Sequence, residues 1–221
     1  MPNPFHRFEH RSHDLAAARA FYDDVLDGLP WGDVFSLAPL PERAKAAGAP
    51  PHWLGHVGVE DVTLTGQRLE ERGAQRLGPP AFRDPFGAIV ALCPKGSPSH
   101  RIGWHLLITD DEAKAWSTYS SLFGWKALAL REVAGARHQS FSWGDSDEPV
   151  GSVSNLAGRQ GVHPQWQFFF RVPDIAAALE RVRRLSGLAL EPTVGGTGAL
   201  LAACDDPQGG AFGLFQAPNT G

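Results

Sequence analysis

His52 and His56 stand two residues either side of Leu54, so in a strand all three share one face. Near the start of the chain, Arg7, Glu9 and Arg11 alternate in the same way with His6, Phe8 and His10. Glu9, His52 and His56 together would make a two-histidine, one-carboxylate set, a pattern that holds non-haem iron. Arg7 and Arg11 can pair with Glu9 in an ion-pair ladder, or offer guanidinium groups to a carboxylate or phosphate. Trp104, Gln165, Gln167 and Phe169 combine aromatic rings with amides, a lining that suits a flat organic ligand. No nucleophile motif, phosphate-cradling glycine loop or His-Glu-x-x-His stands in the chain, and Gly195-Gly196-Thr197-Gly198 reads as a hairpin loop.

The elements that must position these residues repeat along the chain. Phe5 to Arg11 alternates as a strand, and Asp14 is placed to cap a helix whose Leu15, Ala18, Phe21, Tyr22 and Val25 form one apolar face. The same order returns at Trp104 to Asp111, followed by a helix through Tyr119 and then Leu-Phe-Gly-Trp. A second pair of segments aligns without a gap from Trp53 to Val59 and from Trp166 to Val172. Each runs on into a helix that ends near Gly73 or Gly187, where a left-handed cap residue is expected. Both then reach Asp-Pro-x-Gly, at Asp84 and Asp206, and a short apolar strand. The chain is read as four copies of one strand–helix–strands unit. The first copy has room for one strand where the third has three, so it is expected to lack about two strands.

Composition agrees with such an organisation. With 221 residues and 43% hydrophobic side chains, the chain can bury one or two sizeable cores. A net charge of -4 argues against nucleic acid or an anionic membrane as partner. No apolar run is long enough to span a bilayer, and the first residues lack an apolar signal region, so a cytoplasmic location is expected. Cys93 and Cys204 are too few for a disulfide framework and are expected to be reduced thiols.

The ordered motifs Asp-x-x-x-Ala-x-x-Phe/Tyr-Tyr (Asp14 to Tyr22, Asp111 to Tyr119), Leu122 to Trp125, Val-x-Asp (Val59 to Asp61, Val172 to Asp174) and Asp-Pro-x-Gly resemble the vicinal oxygen chelate superfamily. That superfamily includes glyoxalase I, bleomycin-resistance proteins and extradiol dioxygenases, and the likeness covers nearly the whole chain. It implies an α+β fold of tandem paired βαβββ modules whose mixed sheets curl into cups, the first βαβββ unit being truncated. Modules are expected at residues 1–95 and 102–221, joined by a linker at 96–101.

The resemblance also implies registers at which metal-using members place ligands. Three of the four can be placed: in the first module they fall on Arg7, Leu54 and Ala91, and in the second on Trp104, Gln167 and Gly213, the fourth lying in unit one or three. None of these offers an imidazole or carboxylate, so no cofactor is expected. The expected function is therefore metal-independent binding of a small aromatic or hydrophobic metabolite in the cup of the second module. The ligand-binding residues would be Trp104, Gln165, Gln167 and Phe169, with Arg7 and Arg11; no catalytic residue is assigned. One alternative is a metal-dependent lyase or dioxygenase with a divalent cation displaced onto Glu9, His52 and His56. Another is a non-catalytic, dimeric binding or resistance protein, since a truncated unit leaves sheet edges for a second copy to cover.

Overall fold

The computed structural model describes residues 3–133 and 135–218. The first repeat runs β1 (Phe5–Ser12), α1 (Leu15–Val25), β2 (Phe35–Pro39) and a short helix α2 (Glu42–Ala46). The second runs β3 (His52–Val59), α3 (Val62–Glu71), β4 (Gln75–Gly78), β5 (Ala81–Arg83) and β6 (Ile89–Pro94). The third is β7 (Ile102–Ile108), α4 (Glu112–Phe123), β8 (Trp125–Val133), β9 (Ala136–Trp143) and β10 (Gly151–Ser154). The fourth is β11 (Gln165–Arg171), α5 (Ile175–Arg184), β12 (Leu188–Ala189), β13 (Thr193–Val194), β14 (Leu200–Asp205) and β15 (Ala211–Gln216). Among the described residues no helix is long and apolar enough to cross a membrane.

The four long helices start in the same way. Asp14, Asp61, Asp111 and Asp174 each turn a carboxylate oxygen back to a backbone N–H three residues on, at 2.8–3.1 Å. Each cap is worth about 1 kcal/mol and fixes where the preceding strand must stop. The helix ends differ. Gly73 has the expected positive φ, 93°, but after α5 that conformation falls on Ser186, at 65°. Gly187 answers a different need, because a Cβ there would lie 2.8 Å from the Asp205 carbonyl oxygen and 2.8 Å from Val182.

The first repeat is short in a specific way. In the third repeat β7 pairs in parallel with β10, which carries the antiparallel hairpin β9–β8. In the first, β1 pairs in parallel directly with β2, from Phe8↔Phe35 to Ser12↔Pro39. The surviving strand thus occupies the β10 position, and the hairpin is what is lost.

Compact units do not follow the expected halves. One unit, here the middle-repeat unit, gathers the second and third repeats with the stretch ending at Arg7: Gly55–Ser99 and His105–Trp166. The other, the end-repeat unit, joins Phe8–Leu54, His100–Trp104 and the chain from Gln167 onward. The physical reason lies in which helices pack. Helix α1 packs on α5, tied by Arg184 to Asp24 (2.7 Å) and by Arg181 to the Val25 carbonyl (3.1 Å), while α3 packs on α4. Strands β1, β3, β7 and β11 each change unit along their length, at Arg7/Phe8, Leu54/Gly55, Trp104/His105 and Trp166/Gln167. Each unit has an aromatic core. Phe8, Tyr22, Phe35, Trp53, Phe170 and Phe212 fill the end-repeat unit; Phe5, Tyr119, Phe123, Trp125, Phe141 and Trp166 fill the other.

Candidate ligand-binding site

Strand alternation sorts the polar residues of the end-repeat unit onto two faces. Phe8, His10 and Ser12 of β1 are buried, and the His10 ring lies 4.9 Å from Tyr22 of α1. Glu9 and Arg11 therefore point to the face away from the helices. Trp53 of β3 packs in the same helix-side cluster, 5.0 Å from His10 and 5.1 Å from Tyr22, so His52 shares the face of Glu9 and Arg11. Arg11 Nε donates to Glu9 Oε1 at 2.8 Å, which supplies one pair of the Arg7, Glu9 and Arg11 set. Among the described residues Arg11 is bonded through Nε, and its Nη groups remain to donate.

His52 Nδ1 sits 3.0 Å from the Pro50 carbonyl oxygen. A carbonyl only accepts, so Nδ1 carries the hydrogen and Nε2 carries the lone pair. That Nε2 is buried and has no hydrogen-bond partner among the described residues. Burial, assisted by the Arg11 and His10 charges, pushes the imidazole below its ordinary pKa, against the opposing pull of Pro50 and Glu9. The ring is neutral at neutral pH, with an acceptor ready for a donor.

The aromatic and amide residues are placed less uniformly. Trp104, Gln167 and Phe169 belong to the end-repeat unit, whereas Gln165, Arg7 and His56 belong to the middle-repeat unit. Gln167 is buried, and its Nε2 donates to the Phe212 carbonyl at 2.7 Å. Phe169 lies across its β15 partner Gly213, where any Cβ would collide with the ring. Trp104 is half-buried and Arg7 is exposed. Between Phe169 and His52 runs β15, which pairs Gly213 with Phe169 and Ala211 with His52. This small-residue floor was not singled out in the sequence, although Gly213 stood at one of the implied ligand registers.

The registers that the resemblance places, and the displaced set, can each be compared with the donors a divalent cation needs. The registers implied by the superfamily carry Arg7, Leu54, Ala91, Trp104, Gln167 and Gly213, without an imidazole or carboxylate. Glu9 is held by a guanidinium, and no three His, Cys, Asp or Glu side chains among the described residues gather as a metal-holding group, so Glu9, His52 and His56 do not form one.

Below this face, each unit holds a buried polar frame that sequence reading missed. In the middle-repeat unit, Tyr119 donates to Asp84 Oδ2 (2.9 Å) and accepts from Trp166 Nε1 (3.1 Å). Asp84 Oδ1 takes the N–H groups of Phe86 and Ala88, both at 2.9 Å, which shapes the Asp-Pro-x-Gly turn. In the end-repeat unit, Tyr22 donates to Asp206 Oδ2 (2.9 Å), and Oδ1 takes the N–H groups of Gln208 (2.8 Å) and Gly210 (2.9 Å). Trp53 and Trp166 meet their tyrosines edge-on at matching distances, 5.1 and 5.3 Å. Burial and the neighbouring carboxylate push both tyrosines well above their usual pKa, so both remain donors. The signal was present: Tyr22 and Tyr119 are the only tyrosines, each eight residues past a cap aspartate.

Solved structures share this fold. A 2,2',3-trihydroxybiphenyl 1,2-dioxygenase from Sphingomonas wittichii aligns with a TM-score of 0.67 at 13% identity, over 98% of this chain and 91% of that one. A variant of homoprotocatechuate 2,3-dioxygenase from B. fuscum aligns with a TM-score of 0.65 at 14% identity, over 99% of this chain and 73% of the other. A mutant 4-hydroxymandelate synthase from Streptomyces coelicolor gives 0.60 at 15% identity, over 100% and 95%. No family model matches the chain, and no curated protein matches it in sequence. The chain shares the α+β fold of these solved structures, built of βαβββ repeats with the first truncated.

Proposed function

We propose that this protein binds a small, flat aromatic metabolite on the helix-opposite face of the end-repeat unit, without a metal. The observation that carries this reading is a face whose side chains suit an organic ring. Phe169 and the half-buried Trp104 supply aromatic surface, Ala211 and Gly213 a floor without bulk, and His52 and Arg11 a polar end. The names of two structural neighbours, a trihydroxybiphenyl dioxygenase and a hydroxymandelate synthase, are those of aromatic compounds, which agrees with an aromatic ligand. On this reading the ring stacks on aromatic side chains and its polar substituents meet the imidazole and guanidinium.

The test is a thermal-shift and tryptophan-fluorescence screen of aromatic metabolites and aromatic antibiotics, run before and after prolonged chelation. Ligand-induced shifts that are unchanged by chelation are expected. A protein that responds to no compound, or responds only after iron or manganese is supplied, would overturn the proposal, and the second result would favour a lyase or dioxygenase.

A further inference from the structure

The polar end of this face has a chemistry of its own, and it specifies more than an aromatic ring. His52 presents a fixed tautomer: Nδ1–H is committed to the Pro50 carbonyl, leaving Nε2 as a pure acceptor. Nothing among the described residues donates to it, although it is buried. A buried acceptor without a donor is uncommon in a native protein and asks for one from outside the chain. On β1, which pairs with β3, Arg11 is close enough for its charge to act on the imidazole; it spends Nε on Glu9 and, among the described residues, keeps its Nη donors, the pair that grips a carboxylate in a fork. Glu9 is a positioning residue here, since its bond fixes the plane of the guanidinium.

We infer that Arg11 and His52 select an aromatic carboxylic acid that also carries a hydroxyl, with Arg11 Nη groups holding the carboxylate and His52 Nε2 accepting from the hydroxyl. This inference rests on the proposed aromatic-binding function and deepens it. The neutral state of His52 fits the role, because a protonated ring would donate and would turn a hydroxyl around. Arg11 and Glu9 cancel in charge, so a monoanion meets no net repulsion. The step is binding alone; no bond is made or broken.

The experiment is isothermal titration of the full chain with the three monohydroxybenzoate isomers, benzoate and phenol. At least one isomer is expected to bind about ten-fold more tightly than benzoate, the increment of one well-made hydrogen bond. His52→Phe should abolish the preference of that isomer over benzoate, and His52→Gln, which keeps an acceptor, should restore part of the preference. Arg11→Gln should weaken the isomer and benzoate alike by about ten-fold. Far-ultraviolet circular dichroism and a melting curve show that each variant is folded, and His52→Gln serves if His52→Phe is not. Isomers that bind no better than benzoate, or a His52→Phe protein that keeps the preference, would overturn the inference. If phenol binds and no carboxylate does, the inference fails while the proposed function stands. If no probe binds, both fail.

Discussion

The two compact units contain the same buried frame, an aspartate that opens a turn, a tyrosine from a helix and a tryptophan from a strand, yet their carboxylates behave in opposite ways. Burial pushes Asp84 up to about 6, even though Tyr119, Phe86 and Ala88 donate to it. Asp206 feels burial as its largest influence too, but His10, the Gly210 N–H and Tyr22 together hold it below the usual carboxylate value. The difference traces to one position. His10 Nε2 lies 3.0 Å from Asp206 Oδ2, while the repeat-equivalent residue of β7 is Leu107, four before the cap aspartate in each case. Gly210 makes room for this contact, since a Cβ there would come 2.9 Å from His10 and 2.5 Å from Asp206. A duplicated scaffold can thus keep its geometry and still change the charge it tolerates inside.

Removing the carboxylates gives the largest effect. Asp206→Ala would strand Tyr22, Gln208 and Gly210 donors together with His10, and is expected to cost about 3–5 kcal/mol. Asp84→Ala strands a similar set without an imidazole and should cost less, about 2–3 kcal/mol. Urea unfolding of both variants at neutral pH checks the order, and equal losses would mean that His10 contributes nothing to the frame.

A sharper comparison makes the units alike. His10→Leu copies the middle-repeat arrangement into the end-repeat unit, so Asp206 should move up toward the behaviour of Asp84. The expected cost near pH 7 is about 1–2 kcal/mol. A depressed carboxylate contributes stability above its unfolded pKa that is lost as pH falls through the folded value. In the variant this contribution disappears, so its deficit should be greatest near neutrality and shrink in acid. A deficit independent of pH would assign the loss to packing.

The smallest effect concerns Asp84 itself. Its folded pKa, about 6, lies above the ordinary 3.8, so the native state favours the protonated form. The sign is therefore reversed: this favourable contribution is full below the unfolded pKa and lost as pH rises through about 6. Asp84→Asn keeps the acceptor for Phe86 and Ala88 and cannot ionise. Relative to the parent it should gain about 1 kcal/mol between pH 5 and pH 7.5, read from urea midpoints. A flat difference across that range would show that Asp84 ionises normally.

Much of the fold could be read from the chain because it is encoded locally. Asp14, Asp61, Asp111 and Asp174 announce four helix starts, and the two Asp-Pro-x-Gly turns and the missing hairpin are visible as spacing. What escaped depends on contacts between distant residues. Tyr22 meets Asp206 across 184 positions, and nothing in either neighbourhood names the other. The pairing of α1 with α5 likewise follows from apolar faces finding each other in space, so the compact units could not be taken from the order of repeats. At the candidate site the residue types were legible but their commitments were not. Residue type makes Gln167 a candidate amide donor, and contact shows its Nε2 donating to the Phe212 carbonyl; residue type makes His52 a candidate ligand, and only the structure shows its Nε2 buried with no hydrogen-bond partner among the described residues.

The passage of β1, β3, β7 and β11 from one unit to the other has a consequence for how the chain can be divided. Cutting it in the segment of residues 96–101 would separate repeats that never form a core by themselves, because each half supplies part of both units. The halves would behave as complementary fragments that acquire order only by association. On that view the connecting peptide would raise the concentration of each half around the other.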